Sequence, residues 1–295
     1  MKKSFLLLFT AAFIFASSLS AGNADIRLKL KKGEIYEVTT TMKNSINQEV
    51  MGQSINMDQN MTAIVLMKVK DKLDNGNFII EQTYRRIALD ITTNGQSLKF
   101  DTDNDADAGS PLATVKNIIG VSLQYEVTPD GEISNIEGMD DLLNKMGGNQ
   151  QQQVMSGLVS KESLLNFYNY LPEEKIKEGD SYTKSVKMKE MLGSEVNVLY
   201  TVDKITDKNI FLNISSDIKF NPDKPIESNG MKMNMKGDGK QTGKYTISKD
   251  TGMPEAMEID QFINMTMSMK NPQNDQDISF PIKTHSIVTT TVTKK

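Results

Sequence analysis

Between Ile55 and Val69 the chain places Ile55, Met57, Gln59, Met61, Ala63, Val65, Met67 and Val69 at every second position, with mostly polar residues between them. Only an extended strand puts all of these side chains on one side, because a helix turns successive residues by about 100°. Similar alternation runs through Tyr36-Val38-Thr40-Met42, from Phe78 to Ile91, and along the Thr-rich stretch from Ile282 to Thr293. These runs exceed the usual strand length of about five or six residues, which favours a curved sheet or half-barrel. Asp74-Asn75-Gly76 and Asn94-Gly95 mark tight turns, and Asn-Gly is the strongest hairpin signal in the chain. Long strands joined by tight turns describe an antiparallel meander.

The strands recur in order. Lys31-Lys32-Gly33-Glu34-Ile35-Tyr36 is echoed by Lys177-Glu178-Gly179-Asp180-Ser181-Tyr182. Val69, a polar turn and Phe78-Ile79-Ile80 are matched by Val202, Thr206-Asp207-Lys208 and Ile210-Phe211-Leu212. Tyr125 leads to Pro129-Asp130-Gly131, as Tyr245 leads to Asp250-Thr251-Gly252. The expected class is mainly β (α+β): two similar antiparallel curved sheets or half-barrels with a few short helices between or over them. The expected bounds are a signal peptide over 1–20, a first β-rich unit over 21–148, a helical connector over 149–175 and a second unit over 176–295.

Helix signals are few. Ser110-Pro111 starts one with Leu112, Val115, Ile118 and Ile119 on one face and Gly120 as its stop. Met139 to Met146 reads as a second, and Ser160 caps a third carrying Leu164, Phe167, Tyr168 and Leu171 before Pro172. Ile26, Leu28 and Leu30 alternate with Arg27 and Lys29 and predict a first strand, while Lys236-Gly237-Asp238-Gly239-Lys240 reads as a turn.

Met1-Lys2-Lys3, the apolar run Phe5 to Phe15 and the small residues from Ala16 to Ala24 have the three parts of a cleaved secretory signal. The apolar run is too short to span a membrane, and without a Cys the lipidated form of signal is excluded. Export to the periplasm or beyond is therefore expected, with no transmembrane span in the mature chain. Cleavage takes the formal charge from −4 to −6 as Lys2 and Lys3 leave. An acidic chain with dispersed lysines offers no basic stripe for a phosphate backbone, so nucleic acid is not an expected partner.

Methionine is the unusual chemistry. Met57, Met61 and Met67 share one strand face, as do Met231, Met233 and Met235, and Met265, Met267 and Met269. Such stripes serve as gap-filling core, as a pliable wall for an apolar or lipid-like ligand, or as soft ligands for Cu(I), although the third use normally recruits His or Cys. Asp101, Asp103, Asp105 and Asp107 alternate as in the opening of a calcium loop, yet Ala106 stands where the turn needs Gly and Leu112 where the bidentate Glu belongs. A solvated acidic loop is the competing reading. The chain has one histidine, His285, without a nucleophile-elbow pattern, and no Trp to platform a sugar for glycoside hydrolysis. No catalytic residue and no cofactor are expected.

Leu28-Lys29-Leu30-Lys31-Lys32-Gly33-Glu34-x-Tyr36, Thr128-Pro129-Asp130-Gly131 and Lys177-Glu178-Gly179-Asp180-Ser181-Tyr182 together resemble an exported family of Bacteroidota known as a domain of unknown function. That resemblance implies location and fold and no activity. A looser architectural likeness is to periplasmic half-barrel lipoprotein carriers, whose strands wrap an apolar cavity under helices. The expectation is a non-catalytic envelope protein that holds a hydrophobic small molecule on Met-lined concave sheets. The alternative is an envelope scaffold that binds another envelope protein and has a filled core.

Overall fold

The computed structural model describes residues 23–50, 52–104, 110, 112–146, 159–188, 194–220, 226–228, 231–270 and 277–295. The expected signal peptide and the polar run Asn149–Gln153 lie outside them. The strands are β1 (Ile35–Val50), β2 (Gln53–Lys72), β3 (Phe78–Thr93), β4 (Gln96–Asp101), β5 (Ser122–Val127), β6 (Ile133–Glu137), β7 (Ser181–Met188), β8 (Ser194–Ile205), β9 (Asn209–Lys219), β10 (Ile226–Ser228), β11 (Met231–Ser248), β12 (Pro254–Lys270) and β13 (Asp277–Lys294). Three short helices are seen among the described residues: a 3-10 helix over Ala113–Ile118, α1 (Met139–Met146) and α2 (Lys161–Asn166).

The fold is mainly antiparallel β, but the expected pair of sheets is one. All thirteen strands belong to a single open sheet in the order β6-β5-β3-β2-β1-β13-β12-β11-β9-β8-β7, with β4 appended to β3 and β10 to β11. β13 is the splice. It pairs with β1 from Tyr36↔Lys294 to Gln48↔Ile282 and with β12 from Ala256↔Thr291 to Lys270↔Asp277, so neither half keeps a free edge at the junction.

The two echoed turns make the same backbone bonds. Gly33 N donates to Val69 O and Val69 N to Glu34 O, at 2.8 and 2.9 Å; Gly179 N donates to Val202 O and Val202 N to Asp180 O, both at 2.8 Å. In each turn the acid folds back onto an amide three residues earlier: Lys31 N donates to Glu34 Oε2 at 2.9 Å and Lys177 N to Asp180 Oδ2 at 3.0 Å. A carboxylate at that place satisfies a donor that the turn would otherwise leave open. Further along, Ile80 opposes Tyr125 on β5 as Leu212 opposes Tyr245 on β11, and each β2- or β8-type strand carries a bulge, Val69/Asp71 and Val202/Lys204.

Residues Ala24–Leu30 are a strap rather than the predicted first strand. Ile26, Leu28 and Leu30 are buried, as their alternation implied, but the backbone bonds go to three separate places. Ala24 exchanges bonds with Ile176, Leu28 N donates to Pro129 O at 2.8 Å, and Lys29 N to Thr251 O at 2.9 Å. The turns after β5 and β11 come from different halves, so the sheet must curl to bring both to one strap. Arg27 strengthens the crossing by donating to Pro172 O at 2.8 Å and Glu173 O at 2.6 Å while pairing with Asp130. Gly252, at φ +72°, sits where the strap passes: a Cβ there would run into the Arg27 carbonyl. Gly131, its counterpart at φ +87°, faces Tyr168 and Leu171 of the connector, whose side chains a Cβ would meet at 2.8 Å.

One core runs through the strap, the inner sheet face and the helices, from Val38, Met67 and Phe78 through Leu142 and Leu171 to Val202, Leu212 and Ile247. The expected apolar face Leu112, Val115 and Ile118 is buried, although the helix is a short 3-10 piece. α1 has the predicted span, and Ser160 Oγ caps α2 by accepting from Ser163 N at 3.0 Å. α2 ends at Asn166; Tyr168 then packs under the first half, its Oη 3.3 Å from that of Tyr125, Leu171 lies against Gly131, and Tyr170 reaches under the second half to Tyr245 and Gly252. Lys236–Lys240, read as a turn, lies inside β11. Its glycines serve close packing: a Cβ on Gly237 or Gly239 would strike the Asn264 or Phe262 carbonyl of β12.

Candidate functional site

The inner face has a filled lower part and an open upper part, and register shows where they divide. Near the strap, Tyr36, Val38, Met67 and Val69 are sealed in the main core. Across β11, β12, β13, β1 and β2 a polar row follows, since Gln241 opposes Gln261, Gln261 opposes Ser286, Ser286 opposes Asn44, and Asn44 opposes Gln59. Gln261 Nε2 donates to Gln241 Oε1 at 3.1 Å, and Asn44 Nδ2 donates to Gln59 Oε1 at 3.4 Å and Met42 Sδ at 3.2 Å. Gln59 Nε2 donates to Met57 Sδ at 3.1 Å. Asn44 Oδ1 is buried without a partner among the described residues, the kind of orphan acceptor that costs about 1–3 kcal/mol.

Beyond this row the face is apolar. Met233 opposes Met269 and Met235 opposes Met267, so two of the predicted stripes meet across β11 and β12. Met265, Met267 and Met269 in turn oppose Ile282, Phe280 and Ile278 of β13. Val196, Ile218, Phe220, Met235 and Ile263 form a second buried cluster here, separate from the main core, with Met265 and Met267 packed on it. Met233, Met265, Met267 and Met269 stay only half-buried. Gly237 and Gly239 face inward on β11 without side chains, which lowers the wall beside Met265 and Ile263.

The first stripe divides. Met57 is half-buried and opposes Ile46 above the polar row, whereas Met61 and Met67, at 2% and 3% exposure, are core. The side chain of Met231 lies outside the described residues. A cavity of about 190 Å³ remains beneath the first half, between Val65, Met67 and Tyr84 on the sheet and Leu164 and Phe167 at the helix.

The acidic loop is divided in the same way. Asp101 accepts two bonds from Arg86, at 3.1 and 2.6 Å, and the guanidinium holds its carboxyl below the usual carboxylate range. Asp103 lies 3.5 Å from the same Arg86, while Asp105 and Asp107 fall outside the described residues. Among the described residues no three His, Cys, Asp or Glu gather to hold a metal ion. His285 Nε2 lies 2.9 Å from Asp260 Oδ1, and its ring stacks on Phe262.

Sequence reasoning did not single out the polar row, the His285–Phe262 stack or a buried tyrosine cluster. In that cluster Tyr182 stacks on Tyr200 with centroids 5.1 Å apart, and Tyr245 meets Tyr170 and Tyr200 edge-on at 6.0 Å. Tyr170 Oη donates to Gly252 O at 2.7 Å. Burial raises all four phenols, Tyr245 to about 12. Phe262 was the visible clue: it is an aromatic at an outward position of an alternating strand.

A family described as of unknown function, DUF6263, matches residues 75–254, more than half of the chain. No curated protein matches the sequence. Among solved structures, lipovitellin, from a structure of its lipid–protein interactions, aligns at 8% identity and TM-score 0.48 over 88% of this chain and 25% of that one. This chain thus spans a quarter of the lipovitellin chain. An outer membrane channel from Pseudomonas putida F1 aligns at 9% identity and TM-score 0.25, over 90% and 98% of the two chains. The outer membrane protein OprG from Pseudomonas aeruginosa aligns at 6% identity and TM-score 0.21, over 89% and 97%. No functional statement about this chain follows from these alignments. No helix among the described residues is long and apolar enough to cross a membrane.

Proposed function

The chain belongs to the DUF6263 family of unknown function, and from its inner face we propose that it is an exported, non-catalytic binding protein of the cell envelope that holds an apolar or lipid-like molecule against the upper, Met-lined part of the sheet. The observation that carries this reading is the pairing of Met233 with Met269 and Met235 with Met267, beside Phe280 and Ile282, in a region that is apolar but only half covered. Unbranched thioethers reshape at low cost, so a wall made of them accepts chains of varied outline. Export rests on the signal-like first twenty residues. The absence of catalysis rests on the single His285, which is occupied by Asp260 and Phe262.

The test is native mass spectrometry of protein purified from an exporting host, with solvent extraction of whatever dissociates, followed by titration with a hydrophobic fluorescent probe. A co-purified apolar compound is expected, along with probe uptake that falls at least fivefold in Met267→Glu while the far-UV spectrum is unchanged. An empty protein that takes up no probe would refute the reading. The burial of Met61 and Met67 would then favour a scaffold with a filled core.

A further inference from the structure

β2, β1, β13, β12 and β11 line a trough of about 850 Å³ that touches Ile46, Met57 and Ile263, with two flanking rows of side chains at positions that alternate with the methionines and so point to the opposite face. Its floor is a cross-strand row in which Asp58 opposes Ser45, Ser45 opposes His285, His285 opposes Phe262, and Phe262 opposes Lys240. The neighbouring row brings Lys283, Asn264 and Asp238 together in the same way. Phe262 is 54% exposed, more than Leu98 and Leu199, the other large exposed apolar residues among the described ones, at 37% and 41%. Its ring lies parallel to the His285 imidazole, 4.0 Å away at 8°, and Asp260 fixes that imidazole by a 2.9 Å contact to Nε2. An exposed phenyl is thereby held at a set angle, open to the trough.

The surrounding charges select the ligand. Lys240 and Lys283 are balanced by Asp58 and Asp238, so the trough offers neither the net positive field that phosphate esters need nor a strong attraction for cations. It does offer an aromatic face, whose negative quadrupole suits polarised C–H groups, flanked by donors, acceptors and the amide of Asn264, which is both. A neutral ring with an apolar C–H face and hydroxyls around its rim satisfies all of these groups together. We propose that the trough binds a neutral oligosaccharide, with one pyranose face stacked on Phe262 and its hydroxyls bonded to Asn264, Asp238 and Lys283. The site binds sugar and does no chemistry on it, and it faces away from the proposed apolar site.

The experiment titrates the full chain with chitotetraose and with maltotetraose, reading saturation transfer to the sugar protons and the imidazole protons of the only histidine. Expected are saturation transfer to ring protons of one or both sugars, a shift of the His285 signals, loss of both effects in Phe262→Ala, and ~10-fold weaker binding in Asn264→Ala. Phe262→Tyr should retain binding, and uptake of the hydrophobic probe should be unaffected by Phe262→Ala. No transfer to either sugar, or transfer undiminished in a Phe262→Ala protein with wild-type thermal stability, would overturn the assignment.

Discussion

Replacing Leu28 by Ala tests whether the two halves of the sheet are one cooperative body. Leu28 is 2% exposed in the strap, and its own N–H bonds the turn after β5 while that of Lys29 bonds the turn after β11. Truncation removes three buried carbons, about 2.4 kcal/mol at ~0.8 kcal/mol each, and the cavity left behind raises the total to roughly 3–4 kcal/mol. For a chain of this size that amounts to a fall in Tm of roughly 6–12 °C. The backbone bonds of the strap are kept, so the loss is one of packing. Because the main core runs unbroken from Val38 to Ile247, differential scanning calorimetry should show a single endotherm that moves as a whole. Two endotherms, of which only one moves, would refute the reasoning and make the halves independent folding units. A shift below about 2 °C would mean that the strap is not part of the cooperative core.

Gly252→Ala should cost about 3 kcal/mol or more in chemical denaturation, because it combines a left-handed backbone with a collision against Arg27, whereas Gly179→Ala, at φ +86° with open space, should cost only about 1–2 kcal/mol. The tyrosine cluster predicts an alkaline limit. Its folded-state pKa values are raised above the ordinary value of about 10, so the stabilisation is intact below that pH and is lost as pH climbs through the folded values. Tyrosinate absorbance and loss of near-UV dichroism should then rise together above about pH 10; ionisation of these residues with dichroism preserved would contradict this. Glu34 sets an acid limit. Burial tends to raise its pKa, but bonds from Lys294, the Lys31 amide and Tyr36 outweigh that and lower it, so its contribution is present above about pH 4 and lost on further acidification. Glu34→Gln should lower Tm by about 2–4 °C at neutral pH and by less near pH 3, read by thermal melts across that range.

Local chemistry was well written into the sequence. Alternation gave β1, β2, β3, β12 and β13, the Gly-acid-x-Tyr echo marked turns with identical bonding, and helix signals located α1 and the Ser160 cap. Strand order was not legible beyond the hairpins, because β13 pairs not only with its hairpin neighbour β12 but also with β1, at the far end of the chain. Gly-Asp-Gly at 237–239 reads as a turn in isolation, and only the approach of β12 shows it to be clearance inside a strand. Ile26-Leu28-Leu30 carries the pattern of a strand with a buried face, and a strap that buries the same face uses the same pattern. For the methionines, parity placed the stripes on one face, but depth along the strand decides that Met61 is core while Met267 stays half open, and period two has no information on depth.

The position of β13 has a kinetic consequence. Tyr36 pairs with Lys294, so the central seam joins two of the most distant strands in the chain, whereas β1–β2, β2–β3, β8–β9 and β11–β12 are local hairpins. Loop-closure entropy makes such a seam the last pairing to be rewarded. Until it forms, β1 and β13, the latter already held on its other side by its hairpin partner β12, each present a long row of unsatisfied amides and carbonyls, and each is the partner the other awaits. A folding chain therefore passes through a stage with two complementary sticky borders, at which capture of β13 from a neighbouring molecule competes with capture of its own.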